Sequence, residues 1–401
     1  MKISPLPQFA HAPLLLLITA MMMMQPLSTD LYLSSLPSLV SGFGVPVATV
    51  QLTLTLFVVG FGGAQLVVGP LSDRFGRRPV LLSGLGLYVA ASALCGLSQS
   101  IELLIAARFI QALGCCAAVM TARAVVRDAY EPQHSAGLLA RASSWISLAP
   151  ILGPILGSYL QVAFGWRAAF GALGTLSACL MAACILHLPE TNQHKNPNAT
   201  NIAGIIANYK LVLGSREFWL NVTPGALSYG GIFVFISGSS FVLIKVLGVP
   251  TQWFGYCFAL GVSGYMGGAM LCRRLLKTIS GEQALRLGTA CSLTSGLYFL
   301  AATLLGLWHW SVVVLAMFLS MVAHGLNFPV AQAGAVSPFP KQAGTAAGLM
   351  GAVMMGSAFV VGTIVGATHN GTLYPLAIIA AVLGLLNFAS VRLISKRALL
   401  A

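Results

Sequence analysis

The sequence predicts an all-α polytopic membrane protein with twelve transmembrane helices in two six-helix bundles. Hydrophobic residues make up 57% of the 401 residues and charged residues only 7%, too few to cover a soluble globule with polar groups. The apolar runs exceed the ~20 residues that cross a bilayer as a helix, whereas barrel strands alternate over about ten residues. The longest polar interruption divides these runs six and six.

Twelve apolar segments follow one another along the chain, and each predicts one membrane-spanning helix. They lie near residues 12–36, 46–71, 78–98, 101–126, 136–161, 166–187, 218–244, 250–272, 283–307, 309–335, 343–368 and 371–394. The first segment follows Lys2 as a secretion signal would, but it continues to Leu36 and no small-residue cleavage site follows it. We therefore interpret it as a retained first helix.

The basic residues predict how the segments are oriented. Of 21 Lys and Arg residues, only Arg108, Arg167 and Lys245 lie on or toward one side, and the other 18 belong to the termini or alternate loops of the opposite side. Basic loops remain in the cytoplasm, so both termini are expected to be cytoplasmic. The net charge of +13 follows this orientation, and no nucleic-acid partner is expected.

The polar interruption divides the chain into an N-terminal bundle at residues 1–188, a cytoplasmic linker at 189–217 and a C-terminal bundle at 218–401. Apolar residues of the linker share one helical face, which suits a helix on the membrane surface, although an ordinary loop fits equally well. A small-residue pattern also recurs about half a chain apart, as Phe57-x-x-Gly60-x-Gly62-Gly63 and Phe258-x-x-Gly261-x-Ser263-Gly264. Such a repeat predicts equivalent packing in two related bundles.

Two charges lie at depth in the apolar segments, and both are functional candidates. Asp30 is the only charged residue between Pro13 and Leu36, and an ionisable group at such depth costs several kcal/mol unless it faces protein or water. Arg108 lies in the fourth segment, and at ~1.5 Å per residue both are on the order of 10 Å below the same surface. They could face each other across one cavity as a proton-coupling pair, or form a permanent ion pair.

A loop between the second and third segments carries the most specific pattern of the chain. It reads Gly69-Pro70-Leu71-Ser72-Asp73-Arg74-Phe75-Gly76-Arg77-Arg78-Pro79. This stretch resembles the cytoplasmic signature loop of the major facilitator superfamily, in which glycines form a tight turn and arginines hold neighbouring helices. The resemblance predicts a conformational latch made by Gly69, Asp73, Arg74, Gly76, Arg77, Arg78 and Asp128. In this latch Asp73 lies against a helix N-terminus of the other half, and Arg77 or Arg74 pairs with Asp128.

Two further patterns narrow the resemblance. Arg108-Phe109-Ile110-Gln111-Ala112-Leu113-Gly114 is similar to the buried-arginine motif of proton-driven exporters, and a second stretch resembles the antiporter motif through Pro150, Gly153, Pro154 and Gly157. With Leu31 to Pro37, they resemble the bicyclomycin-resistance (Bcr/CflA) branch of drug:proton antiporters. Ser34 departs from that branch, which commonly has proline there, and the loop after the eighth segment keeps only its basic character.

Several other residues are candidates for lining a substrate cavity. They are aromatic or polar positions in segments expected to face the pathway: Tyr32, Gln51, Gln111, Trp145, Tyr229, Phe233 and His324. The ring of His324 could take part in proton transfer or bind substrate, or it could be a hydrogen-bonded packing residue.

The resemblance implies a monomer in the bacterial inner membrane that exports small hydrophobic compounds or antibiotics in exchange for protons by alternating access. Its partners are then the substrate, protons and the lipid bilayer. No phosphate-binding loop, metal-ligand spacing or enzyme constellation is present, so no catalytic activity, cofactor or metal is expected. The alternatives are an exporter or facilitator of a metabolite such as an amino acid, and a membrane sensor or scaffold that does not transport.

Overall fold

Helices form the framework of this protein, because a backbone that crosses a bilayer must satisfy its hydrogen bonds internally. The structure is a computed structural model that describes residues 11–129, 142 and 145–398. In chain order the helices are α1 (His11–Asp30), α2 (Leu36–Phe43), α3 (Val47–Phe75), α4 (Arg77–Leu97), α5 (Ile101–Ala129), α6 (Ala149–Phe164), α7 (Arg167–His187), α8 (Ile202–Leu213), α9 (Arg216–Ser240), α10 (Thr251–Leu275), α11 (Gly281–Leu304), α12 (Trp310–Val336), α13 (Ala343–Thr368) and α14 (Tyr374–Ala398).

Ten helical stretches of the described chain are long and apolar enough to cross a membrane. They contain α3, α4, α5, α7 and α9 to α14. Of the other two predicted spans, the first corresponds to α1 and α2, and the fifth corresponds to α6 together with residues outside the described ranges. The protein is thus an all-helical, multi-pass membrane protein, and the count of twelve spans stays a prediction.

The first apolar segment is interrupted in its middle. α1 ends at Asp30, a short 3-10 turn follows at Leu33–Ser35, and α2 continues to Phe43. The segment therefore extends beyond residue 36, where the hydropathy pattern had ended it, because serine and glycine residues of α2 weaken the apolar signal. As a result, Asp30 lies at a helix end inside the protein.

The small-residue repeat packs in the same way in both halves. A Cβ at Gly60 of α3 would lie 3.1 Å from Ala112 of α5. A Cβ at Gly261 of α10 would lie closer than 3 Å to Met317 of α12. The second span thus packs on the fourth through one glycine, and the eighth packs on the tenth through its counterpart.

The two halves contact each other along two helix pairs, α3 with α13 and α6 with α10. Glycines occupy the points of closest approach: Gly62 of α3 faces Met355, and Gly255 of α10 faces the backbone of Ile155 in α6. A side chain at Gly255 would overlap α6. Small residues therefore allow the halves to meet at backbone distance.

The linker lies on one side of the molecule, which we call the linker face; it holds the α3 to α4 connection and residues 188–201. The other side, with the Gly44 and Gly248 turns, is the opposite face. The later part of the linker forms helix α8, one of the two forms that its sequence allowed. Tyr209 of α8 donates a hydrogen bond of 2.5 Å to the Leu66 carbonyl, which holds α8 against α3.

Candidate functional site

Asp30 occupies the last position of α1 and is only 4% exposed. The Thr29 hydroxyl lies 2.8 Å from its Oδ1 atom and 2.9 Å from the Pro26 carbonyl oxygen. The C-terminal end of a helix carries partial negative charge, so it offers a carboxylate no electrostatic support. Within the described residues, no lysine, arginine or histidine forms an ion pair with Asp30.

Asp30 also lies where the halves meet. On one side, α6 approaches so closely that a Cβ at Gly153 would be 3.3 Å from the Asp30 Cβ. On the other side, Tyr229 of α9, which belongs to the second half, is near enough for electrostatic interaction with the carboxylate. A change in the contact between the halves would therefore change the surroundings of Asp30.

Arg108 is fully buried and, among the described residues, forms no ion pair with Asp30, so the alternative of a permanent ion pair between them is not met. Its guanidinium group donates to the Thr53 carbonyl at 3.2 Å, to Gln111 Oε1 at 2.5 Å and to the Ser28 carbonyl at 2.9 Å. Three aromatic rings surround it at 4.2 to 5.7 Å from their centroids: Phe57, Tyr32 and Phe170. Main-chain oxygens and ring faces thus satisfy a cation that would otherwise need a carboxylate.

Arg108 nevertheless acts on the position of Asp30. Ser28, whose carbonyl accepts its hydrogen bond, lies two residues before Asp30 at the end of α1. The Ser28 hydroxyl is also hydrogen-bonded to Tyr88 at 2.5 Å. The end of α1 is therefore fixed by α5 through Arg108 and by α4 through Tyr88.

Tyr32 and Gln111 are fully buried inside the first bundle, among the groups that surround Arg108, and that they line a cavity stays a prediction. Tyr32 is hydrogen-bonded to Thr53 and contacts Phe170, and Gln111 joins Arg108 to Ser92. Both side chains are drawn inward because a buried guanidinium group needs acceptors and ring faces around it.

Gln51 crosses between the halves. Its Nε2 atom donates to the Ser237 carbonyl of α9 at 2.5 Å. Its Oε1 atom is buried without a hydrogen-bond partner in the described part of the chain. Gln51 therefore contributes to the contact between the halves near the opposite face.

His324, Tyr229 and Phe233 come together in the second bundle. The His324 ring lies 5.7 Å from that of Tyr229, which lies 6.3 Å from that of Phe233. Ser228 holds the Nδ1 atom of His324 at 2.8 Å. Trp145 is 58% exposed and has no ring contact with this group among the described residues, so the structure does not join it to the other cavity candidates.

The signature loop is built around Arg77. This residue pairs with Asp73 at 2.6 Å and with Asp128 of α5 at 2.7 Å, and it also donates to the Ser72 hydroxyl. The predicted arginine-to-Asp128 pair is thus present and uses Arg77. Arg74 instead binds Thr200 of the linker.

Two expectations for this loop need correction. Asp73 pairs with Arg77 of its own half rather than with a helix end of the other half, because the chain bends at Gly76 and brings the two side chains together. Gly69 lies within α3, which continues to Phe75, so it forms no turn. The turn residue is Gly76, whose φ of 108° is unfavourable for any residue with a side chain.

Glu190 also belongs to this site, and no sequence motif predicted it. Its Oε1 atom accepts from the backbone N–H of Arg77 at 2.8 Å, and its Oε2 atom accepts from that of Arg78 at 3.2 Å. A carboxylate at a helix N-terminus satisfies free N–H groups and complements the helix dipole. Glu190 therefore fastens the linker to α4, while the Arg78 side chain donates to the Ile185 carbonyl. The only sequence signal was one acid in a linker.

The antiporter-like motif lies between the broken first span and the second half. Helix α6 begins at Ala149 with Pro150 in its first turn and contains Pro154. A side chain at Gly157 would overlap the Leu31 carbonyl, directly after Asp30, while the Pro154 carbonyl lies against Gly255 of α10. The motif therefore packs against α10 on one side and against the end of α1 on the other.

The arrangement offers a buried carboxylate whose surroundings depend on both halves, together with a charged cluster that ties the first half to the linker. Within the described ranges, no three His, Cys, Asp or Glu side chains are grouped so that they could hold a metal ion.

Comparison with known proteins identifies the family of this chain. The family model of the Major Facilitator Superfamily matches residues 18–363. The chain is 31% identical to a chloramphenicol resistance protein of Pseudomonas aeruginosa, over 92% of this chain and 88% of that protein. It is 29% identical to a bicyclomycin resistance protein homolog of Haemophilus influenzae, over 88% and 89% of the two chains, and 29% identical to multidrug resistance protein D of Escherichia coli, over 84% of each.

Solved structures with the same fold include a peptide transporter and a D-xylose-proton symporter. The peptide transporter superposes with a TM-score of 0.76 at 16% identity, over 98% of this chain and 97% of that one. The symporter has a TM-score of 0.73 at 15% identity, over 93% and 97%. At these identities the likeness concerns the fold alone. The family match, which spans both halves, shows that this chain is a membrane transporter of the Major Facilitator Superfamily, and not an enzyme.

Proposed function

We propose that this transporter exports small, largely hydrophobic compounds, including antibiotics, in exchange for protons, and that Asp30 carries the proton. The observation behind this proposal is the buried carboxylate of Asp30, which has no basic partner in the described residues and lies where the two halves meet. The resistance proteins that the chain resembles support export as the direction of transport.

The cycle follows from the surroundings of Asp30. A neutral, protonated carboxyl group is compatible with the close packing of α6 and the nearby Tyr229, whereas an ionised one requires water or another partner. A substrate that enters between the halves changes these surroundings and favours release of the proton. Separation of the halves on the other side of the membrane then exposes Asp30 to a new proton.

In this proposal the linker face is cytoplasmic, both termini are cytoplasmic and the protein works as a monomer in a bacterial inner membrane. The distribution of Lys and Arg residues supports that orientation. The cluster of Asp73, Arg77 and Asp128, with Glu190, acts as a latch that stabilises one arrangement of the linker face.

An amino-acid exporter that clamps a zwitterion between Asp30 and Arg108 is less well supported. Arg108 is fully buried, and its hydrogen bonds go to Ser28, Thr53 and Gln111 rather than to an open site. A carboxylate of a substrate would have to displace these bonds.

The test is substrate-induced proton release by the purified protein in detergent, measured with a panel of hydrophobic drugs that includes chloramphenicol. We expect the native protein to release protons on drug binding and Asp30→Asn to bind drug without releasing any, because an amide does not ionise. Asp30→Glu keeps the carboxylate and should retain part of the release. Glu102→Gln, which removes an exposed carboxylate in the first turn of α5, is the matched control and should release as much as the native protein.

Two outcomes would contradict the proposal. If native protein and Asp30→Asn bind drugs equally and neither releases protons, Asp30 is not the carrier. If reconstituted vesicles show no flux of any drug with or without a proton gradient, the protein is not a drug exporter.

A further inference from the structure

We infer that His324 is a neutral hydrogen-bond acceptor that selects substrates, favouring hydrophobic compounds that carry an N–H or O–H donor. This inference rests on the proposed export of hydrophobic compounds and adds a specificity determinant to it. It assigns substrate recognition to His324 and leaves proton transport to Asp30.

The first step concerns the environment of the ring. His324 of α12 is 5% exposed and stacks on Phe328 at 5.4 Å between ring centroids. Tyr229 of α9 and Tyr265 of α10 each lie at 5.7 Å. These two tyrosines are the titratable groups that face the ring, and within the described residues no carboxylate pairs with it. A buried imidazolium without a carboxylate partner would be costly, so the ring is neutral here.

The second step fixes the tautomer. The Ser228 hydroxyl lies 2.8 Å from Nδ1 of His324 and 3.0 Å from the Gly225 carbonyl oxygen. The carbonyl oxygen of Gly225 accepts the hydroxyl hydrogen of Ser228. With that hydrogen on Gly225, the Ser228 oxygen accepts from Nδ1, which in this arrangement carries the ring hydrogen. The remaining nitrogen, Nε2, has a lone pair and acts only as an acceptor.

The third step concerns access. Within the described residues Nε2 has no hydrogen-bond partner, yet it is not among the polar atoms sealed from solvent. Tyr229, which packs on the ring, also interacts electrostatically with Asp30 across the boundary of the halves. Nε2 therefore keeps an unused lone pair and some accessible surface, beside the tyrosine that adjoins the proposed proton site.

The ligand is defined by the chemistry of the groups around Nε2, which are the rings of Tyr229, Tyr265 and Phe328. Aromatic rings favour an apolar or aromatic body, and a single fixed acceptor favours a donor at one position. A site built to hydrogen-bond a substrate discriminates strongly against an analogue that lacks the group, because its own polar atom is then left unpaired.

The experiment measures binding of chloramphenicol, which has hydroxyl and amide donors, and of its deoxy analogues, each of which lacks one hydroxyl. We expect His324→Leu to weaken chloramphenicol binding about ten-fold or more and to leave the affinity for one deoxy analogue almost unchanged. His324→Gln keeps an acceptor near the position of Nε2 and should retain the selectivity of the native protein.

Proton release per bound drug is measured in the same samples and separates this inference from the proposed function. Both His324 variants should release as many protons per drug as the native protein. Reduced release in His324→Leu would make His324 a proton carrier and overturn the inference. Equal loss of affinity for every analogue would reduce it to a packing residue, and equal or absent binding of all these compounds by the native protein would also overturn it. If selectivity holds but the native protein releases no protons, the proposed coupling fails and this inference stands.

Ser228 is a positioning residue in this scheme, and Ser228→Ala tests it. Without Ser228 the ring hydrogen is free to move to Nε2, so the preference for donor-bearing drugs should shrink. Nitrogen NMR of histidine-labelled protein, assigned with His324→Gln, reports which ring nitrogen is protonated. The native protein should show hydrogen on Nδ1 and Ser228→Ala a mixture; a native signal with hydrogen on Nε2 would contradict the inference.

Discussion

At the scale of single residues, the described part of the chain buries two charged side chains, Asp30 and Arg108, in different surroundings. Arg108 is surrounded by acceptors and ring faces, with hydrogen bonds to Ser28, Thr53 and Gln111. Asp30 has one hydroxyl contact, from Thr29, and no basic partner among the described residues. The first arrangement stabilises a permanent charge, whereas the second suits a group that gains and loses a proton.

Replacement of Arg108 by lysine tests this difference. Lysine keeps the charge but lacks the planar fork that reaches three acceptors in different helices, so some of them lose their partner at roughly 1–3 kcal/mol each. We expect Arg108→Lys to lower the thermal unfolding temperature in detergent and to abolish transport, since the end of α1 is no longer held at Ser28. Arg273→Lys changes an exposed arginine and should match the native protein. An unchanged unfolding temperature in Arg108→Lys would show that Arg108 is not a structural clamp.

The sequence was informative about which residues matter and uninformative about what they touch. Asp30 and Arg108 stand out because charges are rare in apolar segments. Two partners of Arg108 are main-chain carbonyls, which every residue has, so no residue pattern could identify them. Glu190 was not predicted for a related reason: its carboxylate accepts hydrogen bonds from backbone N–H groups at the start of α4, and no residue pattern marks such groups.

At the scale of helices, the broken first span and the proline- and glycine-rich α6 form one unit. The motif in α6 predicted a bent helix in close contact with another, and the structure supplies the partner, the end of α1. The break after Asp30 was missed because the hydropathy pattern counted Leu31 to Leu36 with the first apolar segment, although Ser35 followed by Pro37 is typical of a new helix start. Packing against α6 and α9 decides where this helix ends.

Gly157 is the point at which this unit can be tested. A methyl group there would overlap the Leu31 carbonyl, so Gly157→Ala should push α6 away from α1 and destabilise the protein by about 1–3 kcal/mol. Transport should fall with it, because Asp30 lies at the displaced helix end. Gly171→Ala, in α7, places its methyl group in open space and should be neutral or slightly stabilising. Thermal unfolding and drug flux of the two variants provide the comparison, and equal values would rule out a close contact at Gly157.

At the scale of the whole molecule, the two halves share the same internal helix packing. The contacts between the halves are not part of that repeat. The echo between Gly60 and Gly261 predicted equivalent packing within each half, and both glycines do pack on equivalent helices. Contacts between halves depend on how one bundle is placed against the other. Near the opposite face these contacts include the hydrogen bond from Gln51 to Ser237 and that between Tyr159 and Tyr256, at 3.0 Å. The halves are therefore in contact near the opposite face in this structure.

Alternating access requires these contacts to break in each cycle, which makes the tyrosine pair a test of the whole mechanism. Tyr159→Cys combined with Tyr256→Cys, joined by a short phenylene dimaleimide, should hold α6 against α10 and abolish drug flux in vesicles. The matched control is Trp253→Cys with Tyr256→Cys, two exposed positions one turn apart on α10, where the same reagent links a helix to itself. Native protein treated alike accounts for reaction at the exposed Cys179.

Transport should survive in both controls and disappear in the cross-linked pair, because only that pair joins the two halves. Continued transport by the fully cross-linked pair would mean that α6 and α10 never separate, and that Asp30 gains access to the opposite face by a local opening of the first span rather than by motion of the halves.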